Sequence, residues 1–192
     1  MKIYLLRHTS LDVSEDTFYG QTDLDVSKTF NQEVKIIKKK LLNEGVDVKK
    51  LKVISSPLKR CVKLTKEICK SYQTDDRIKE MNLGDWEMRV KTDIPNNLIY
   101  EWENNLLNFK IPNGESNEEF LNRLDGFLNN VIALGEDSLI VCHAGCINGM
   151  VSILTGEPFD KLVKDYWKKI KYGSLTFIEI EKGKVLNIFL GK

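Results

Sequence analysis

Short apolar runs alternate with longer helical patterns along this chain, and this alternation restricts the fold more than any other feature. Runs rich in β-forming residues predict five strands, at residues 3–6, 51–55, 138–142, 175–180 and 185–190. Strands separated by amphipathic helical patterns are typical of an α/β domain with a largely parallel sheet. Lys182-Gly183 separates the last two runs, so we expect those two strands to form an antiparallel hairpin.

Three sequence signals predict where helices begin and end. Apolar residues at helical spacing predict a helix over residues 27–44, which Gly45 would end. Ser56-Pro57 has the pattern of an N-cap followed by a first-turn proline, and predicts a helix that runs to about Lys70. Ser116-x-x-Glu119 is a capping box and predicts a third helix start.

Composition and charge exclude several classes of protein. A chain of 192 residues, 42% hydrophobic and 30% charged, is long enough for one core, so we expect a single domain over 1–192. Within it, the Asn-rich segment 92–113, with its two prolines, is interpreted as a helical insert or lid. The 29 basic and 28 acidic residues give a net charge of +1, which argues against a nucleic-acid or membrane partner.

No apolar run has the length of a signal-peptide core or a membrane span, and the sequence therefore predicts a cytoplasmic protein. The sequence leaves open whether the protein forms a homodimer.

The four cysteines lack Cys-x-x-Cys spacing and are interpreted as reduced, mostly buried thiols. The run from Cys142 to Cys146 offers three soft ligands in one stretch, whereas a structural zinc ion takes four from separate clusters, so we expect no metal site.

The chain has two histidines, and each follows a predicted strand. His8 comes after the run Ile3 to Leu6, and His143 comes directly after the run 138–142. Because the carboxyl ends of parallel strands share one edge of a sheet, where ligands bind, we expect the two histidines to meet there. For either histidine alone, a role in the protein core is the alternative interpretation.

Charged residues near these positions complete a candidate anion site. Arg7 precedes His8, and Arg60 lies one turn into the helix predicted after the second strand. The guanidinium fork matches phosphate oxygens. Glu80 lies just before a Gly-containing turn and is a candidate proton donor, for which Asp85 and Glu87 are local competitors.

Five motifs then occur in order: Arg7-His8-Thr9, Ser55-Ser56-Pro57-Leu58-x-Arg60, Glu80-x-x-x-Gly84-x-Trp86-Glu87, Gly114-Glu115-Ser116 and His143-Ala144-Gly145. Together they resemble the histidine phosphatase (phosphoglycerate mutase-like) superfamily. The resemblance implies a three-layer α/β sandwich with a mostly parallel central sheet flanked by helices. It also implies a metal-independent phosphatase without a cofactor, acting on a small-molecule phosphomonoester.

The same resemblance implies roles for individual residues. His8 would take the phosphoryl group as a phosphohistidine, and water would then hydrolyse that intermediate. Glu80 would protonate the leaving oxygen and later activate water, with His143 as the third catalytic residue. The phosphate oxygens would be held by Arg7, Arg60, His143, Ala144 and Gln21. Such a site needs chiefly in-line positioning and charge stabilisation, which these residue types supply.

The loop after the first strand departs from the usual family pattern, because Thr9 stands where the family generally has glycine. Its later part, Phe18-Tyr19-Gly20-Gln21-Thr22-Asp23, resembles the α-ribazole phosphatase-like branch, which acts in cobalamin biosynthesis. That branch implies substrate contacts from Tyr19, Gly20 and Gln21. The alternatives are a phosphoglycerate mutase-type transferase, an inactive phosphate-binding module and a metal-dependent hydrolase.

Overall fold

A twisted β-sheet forms the middle layer of the molecule. The computed structural model of the chain describes residues 1–14, 16–166 and 169–192. In these residues the strands are β1 (Lys2–Arg7), β2 (Lys52–Ser55), β3 (Gln73–Thr74), β4 (Ser138–Cys142), β5 (Leu175–Glu181) and β6 (Lys184–Phe189). They form one sheet in the order β3-β2-β4-β1-β5-β6.

The four strands β3, β2, β4 and β1 are parallel, whereas β5 and β6 run antiparallel at one edge. The mostly parallel α/β sheet that the sequence predicts is therefore confirmed. Strand β3 was not predicted, because its two residues are exposed and give no apolar signal.

Helices cover both faces of this sheet. One face is covered by α1 (Phe30–Asn43) and α2 (Lys59–Ile68), and the other by α4 (Asn117–Leu134), α5 (Ala144–Thr155) and α6 (Phe159–Tyr166). Helix α3 (Asn96–Asn104) packs outside these two cores. Neighbouring strand residues point into opposite cores, since Leu5 packs with α4 and α5 and Leu6 packs with α1 and α2. Burial on both faces produces the continuous apolar runs seen in the sequence. Over the described ranges, no helix combines the length and apolar character needed to cross a bilayer.

Two predicted helix starts differ from the structure. Helix α1 begins at Phe30 rather than at residue 27, because the Ser27 hydroxyl bonds to Ser10, Thr29 and Glu33 in a turn before the helix. Helix α2 begins at Lys59, since Leu58 has an extended backbone with φ −65° and ψ 138°. The Ser56 hydroxyl therefore does not cap the helix, and it instead contacts His143.

Other local predictions are confirmed. Ser116 and Glu119 form the reciprocal capping box at the start of α4. Strands β5 and β6 form the expected hairpin, whose turn residues Lys182 and Gly183 have φ of 50° and 76°.

The segment 92–113 contains α3 and packs on its own small core beside the sheet. That core contains Trp86, Ile94, Ile99, Phe109 and Ile111. Gly84 brings this region against the turn at 112–114, because a Cβ there would lie 2.2 Å from the Pro112 carbonyl oxygen. The role of 92–113 as a lid stays a prediction.

Candidate active site

His8 lies at the carboxyl end of β1, in line with the neighbouring strand β4. Its backbone N–H donates to the Cys142 carbonyl at 3.1 Å, and only 1% of the residue is exposed. The ring Nδ1 lies 2.7 Å from the Thr9 carbonyl. Because a carbonyl can only accept, Nδ1 carries the proton and Nε2 carries the lone pair.

The charge state of His8 follows from its surroundings. Burial, and then the charges of Arg60 and Arg7, hold the pKa of His8 well below its ordinary value, although the hydrogen bond to Thr9 acts in the other direction. The imidazole is therefore neutral at neutral pH. A neutral imidazole with an available Nε2 lone pair is the form that can act as a nucleophile.

His143 follows β4, and its ring centroid lies 5.2 Å from that of His8. The Arg60 Nε donates to its Nδ1 at 3.2 Å, so Nε2 carries the proton and donates to the Ser56 hydroxyl at 2.8 Å. Burial and nearby positive charges, Arg60 first, hold the pKa of His143 well below its ordinary value. The structure thus brings together the two histidines that the sequence placed at strand ends.

Arg60 is fully buried beside His143. Its two terminal nitrogens donate to the carbonyls of Thr22 at 2.9 Å and Gly20 at 2.5 Å. These partners and His143 are neutral, so they orient the guanidinium without cancelling its charge. Within the described ranges no carboxylate pairs with this guanidinium, and a buried cation without such a partner favours an anionic ligand in the same pocket.

Arg7 directly precedes His8 and is held by residues that lie before β5. Its Nη1 donates to the Ile170 carbonyl at 2.7 Å, and the ring of Tyr172 covers the guanidinium at 4.0 Å. The buried Nε has no hydrogen-bond partner among the described residues. An unpaired buried donor is costly, and a phosphate oxygen would satisfy it.

The Glu80 side chain lies at the N-terminus of α5, where it contacts Gly145, two residues after His143. Its Oε2 accepts from the Gly145 backbone N–H at 2.9 Å. A Cβ at Gly145 would lie 2.3 Å from the other carboxylate oxygen, so glycine is required for this approach. The positive end of the helix dipole favours a carboxylate here.

Arg123, from α4, fixes the chain around Glu80. Its guanidinium donates to the carbonyls of Lys79 at 2.7 Å and Glu80 at 2.8 Å. Glu115 binds the same guanidinium at 2.7 and 2.9 Å. Arg123 was not among the predicted site residues, although the sequence places it one helical turn after Glu119 on a core-facing helix.

Glu87 has a different role from the proton donor for which it was a candidate. Its carboxylate accepts hydrogen bonds of 2.5–3.2 Å from the backbone N–H groups of Gly20, Gln21, Thr22 and Leu83 and from the Thr22 hydroxyl. Burial alone would raise the pKa of Glu87, but these hydrogen bonds together lower it. Glu87 therefore anchors the loop whose carbonyls hold Arg60.

Asp85, the other competitor, is exposed and bonds to the Asn113 amide. Of the predicted substrate residues, Gly20 packs so closely on the chain that a Cβ would lie 1.9 Å from the Met81 carbonyl oxygen. The Gln21 amide donates to the Glu80 carbonyl at 3.1 Å. The remaining two predicted residues are the half-buried Tyr19 and the buried Ala144 at the start of α5.

Tyr172 is a site residue that the sequence analysis missed. Its ring centroid lies 5.5 Å from that of His8, and its hydroxyl lies 2.6 Å from the Tyr19 hydroxyl. The sequence did contain a signal for this position. Tyr172 just precedes β5, and because β5 runs antiparallel to β1, the start of β5 lies beside the end of β1, where His8 is.

The cysteines form no site of their own. All four are free, and burial is the main cause that raises the pKa of Cys61 to about 12, so its thiol stays protonated beside His143. The Cys146 thiol bonds to the Ile78 and Lys79 carbonyls. Among the described residues, no group of three or more His, Cys, Asp or Glu side chains is placed to hold a metal ion.

Comparison with solved structures shows the same fold elsewhere. The α-ribazole phosphatase of Shigella flexneri superposes with a TM-score of 0.82 at 21% identity, covering 100% of this chain and 96% of that chain. At this identity, the likeness concerns the fold alone.

Two curated relatives have similar sequences. "Putative phosphoserine phosphatase 2" of Hydrogenobacter thermophilus is 27% identical, over 100% of this chain and 95% of its own length. "Probable phosphoglycerate mutase GpmB" of Proteus mirabilis is 27% identical, over 82% of this chain and 76% of its own length.

The model of the histidine phosphatase superfamily (branch 1) matches residues 3–188, which is nearly the whole chain. This match spans the strand ends that carry both histidines and all but the last residue of the β5–β6 hairpin. The chain therefore belongs to branch 1 of the histidine phosphatase superfamily, which confirms both the resemblance and the expectation of a phosphatase enzyme.

Proposed function

We propose that this chain hydrolyses phosphomonoesters through a phosphohistidine formed on His8. The observation that carries the proposal is the hydrogen bond from Nδ1 of His8 to the Thr9 carbonyl, which leaves the Nε2 lone pair on a neutral ring. That nitrogen lies in a pocket with two arginines whose charges act on it, Arg60 and Arg7. A nucleophile among fixed cations suits attack on a phosphate, whose charge is spread over its oxygens.

The proposed reaction has two steps. In the first, Nε2 of His8 forms a bond to phosphorus while the bond to the leaving oxygen breaks, and Glu80 gives a proton to that oxygen. In the second, Glu80 takes a proton from water, the water oxygen bonds to phosphorus, and the bond to His8 breaks. Arg7, Arg60 and His143 would hold the phosphoryl oxygens in both steps, with Ala144 and Gln21 beside them.

For the substrate we propose α-ribazole 5′-phosphate, or a range of phosphomonoesters that includes it. The support is the pair of tyrosines beside the phosphate site, because Tyr19 and Tyr172 offer aromatic faces on which a flat base could stack. Phosphoserine is a second candidate, since the Hydrogenobacter relative that carries this name covers the whole chain.

The test is phosphate release in excess EDTA, comparing the native protein with His8→Ala. We expect turnover of p-nitrophenyl phosphate by the native protein and none above background by the variant, because the uncatalysed reaction is extremely slow. Ranking kcat/KM for α-ribazole 5′-phosphate, phosphoserine and 3-phosphoglycerate then identifies the substrate class. Equal activity of native protein and His8→Ala would contradict the proposal.

Two further outcomes point elsewhere. Interconversion of 2- and 3-phosphoglycerate without net phosphate release would indicate a mutase. Activity that returns only when a divalent metal is added would replace the histidine mechanism with a metal-dependent one. A Tyr100→Phe variant, altered on an exposed face of α3, is the matched control for handling and folding.

A further inference from the structure

The two arginines proposed to hold phosphate, Arg7 and Arg60, are each covered by a tyrosine ring. The guanidinium of Arg7 lies 4.0 Å from the centre of the Tyr172 ring, and that of Arg60 lies 5.6 Å from the centre of the Tyr19 ring. Both distances are in the range of cation–π attraction. The two tyrosines thus contact the groups that would hold phosphate.

The tyrosines are also joined to each other across the site. Their hydroxyls lie 2.6 Å apart, in a hydrogen bond that connects the loop after β1 with the residues before β5. Tyr172 is 38% exposed, whereas His8 and His143 are each 1% exposed. Because the Tyr172 ring also lies 5.5 Å from the ring of His8, the tyrosine pair belongs to the wall between His8 and the solvent.

The backbone behind Tyr172 is fixed. The Gly173 N–H donates to the His8 carbonyl at 3.1 Å, and the Gly173 carbonyl accepts from Lys40 Nζ at 3.0 Å. The backbone N–H of Arg7 donates to the backbone carbonyl of Ser174 at 3.1 Å. The main chain is thus held after Tyr172 at Gly173 and Ser174, and before it at the Ile170 carbonyl, which accepts from Arg7. The ring and hydroxyl of Tyr172 are the parts that can move.

We propose that Tyr172, hydrogen-bonded to Tyr19, is a gate over the phosphate site and sets the fraction of molecules in which His8 can be reached. The inference rests on the proposed function only in taking His8 as the group that a substrate must reach. In the closed state the two hydroxyls bond to each other. In the open state the Tyr172 side chain has rotated away and a ligand can approach Arg7 and His8.

The size of the effect follows from the strength of one hydrogen bond. A bond between two neutral hydroxyls shifts an equilibrium by a factor of about two to ten. The apparent affinity for a ligand falls by the fraction of molecules that are competent to bind it. Removing either hydroxyl should therefore raise the open fraction by about two- to tenfold, and removing both should add little, because the bond is already lost.

The test is the rate at which diethyl pyrocarbonate modifies histidine, followed by absorbance at the wavelength of the modified imidazole. The chain has only two histidines, so the signal is simple, and peptide mass mapping assigns it. We expect His8 to react, because its Nε2 lone pair is available. The rate should rise about two- to tenfold in Tyr172→Phe, in Tyr19→Phe and, to the same extent, in the double variant.

The phenylalanine variants keep both rings, and Tyr100→Phe is the matched control with no expected change, since Tyr100 is 70% exposed on α3. Thermal melts confirm that every variant is folded. Unchanged rates in all three gate variants would overturn the proposal, and so would rates that multiply in the double variant. Because modification needs no turnover, a gate that behaves as expected in an inactive protein would contradict the proposed function alone.

Discussion

His8 and His143 end two neighbouring parallel strands, and their rings lie 5.2 Å apart, yet their nitrogens are used in opposite ways. In His8 the proton is on Nδ1, which donates to the Thr9 carbonyl. In His143 the proton is on Nε2, because Nδ1 accepts from Arg60 and Nε2 donates to Ser56. Both rings are buried and both have a lowered pKa.

Position and burial therefore do not separate the two histidines. The partner of Nδ1 does, because a carbonyl fixes one tautomer and a guanidinium fixes the other. His8 is left with a lone pair directed away from its backbone partner, as a nucleophile requires. His143 is part of a chain of hydrogen bonds from Ser56 through Arg60 to the Gly20–Thr22 loop.

The strongest way to break this comparison is to remove each ring in turn. We expect His143→Ala to lower kcat by about 100- to 1000-fold, the usual effect of losing one group that stabilises the transition state. His8→Ala should abolish turnover. Each variant is mixed with a labelled phosphodonor, the reaction is quenched, and the label bound to the protein is measured. His143→Ala should still carry acid-labile, alkali-stable phosphate on His8, and His8→Ala should carry none.

The result that would reverse the assignment is a label that persists in His8→Ala and disappears in His143→Ala. Thermal melts are the control for folding. Because His143 is neutral, His143→Ala removes no charge from the site, and we expect binding of inorganic phosphate to weaken less than kcat falls.

The two histidines also show which features of the site can be predicted from the sequence and which cannot. The apolar runs place both at one sheet edge, because strand period and parallel order are written in the residue pattern. The hydrogen-bond partners of the ring nitrogens cannot be predicted from the residue pattern, because Thr9 contributes its backbone carbonyl, a group that every residue has. Glu87 was visible as an acid, but its role depends on a loop 65–67 residues away along the chain. Such long-range hydrogen bonds leave no local pattern.

A smaller effect on activity is expected from a change at Glu87, which contacts the loop that holds Arg60 and does not contact the histidine rings. Glu87→Gln keeps the shape but replaces one accepting oxygen by an amide that faces N–H donors, so it should lower the free energy of unfolding by about 1–3 kcal/mol. The loosened loop should misplace Arg60 and lower kcat/KM by about tenfold. Asp85→Asn, at an exposed neighbouring acid, is the matched control and should change neither quantity.

The pH dependence of this variant gives an independent check. The pKa of Glu87 is lowered in the folded state, so its contribution is present above the ordinary value of 4.5 and is lost as the pH falls through the folded pKa. The stability difference between native protein and Glu87→Gln should therefore shrink below pH 4.5. A difference that is constant with pH would show that the charge of Glu87 does not hold the loop.

The smallest expected effect concerns only which nitrogen carries the proton in each of the two imidazole rings. With two histidines in the chain, a long-range ¹H–¹⁵N correlation spectrum should show two imidazoles, one protonated at Nδ1 and one at Nε2, and His8→Ala assigns them. Both should remain neutral below pH 6.5, because burial and then the nearby arginines, Arg60 first, lower both pKa values. The unfolded chain binds those protons first, so stability should fall below pH 6.5 by up to about 1.4 kcal/mol per pH unit for each histidine. Two rings with the same tautomer would remove the physical distinction between the nucleophile and the histidine that holds the phosphoryl oxygens.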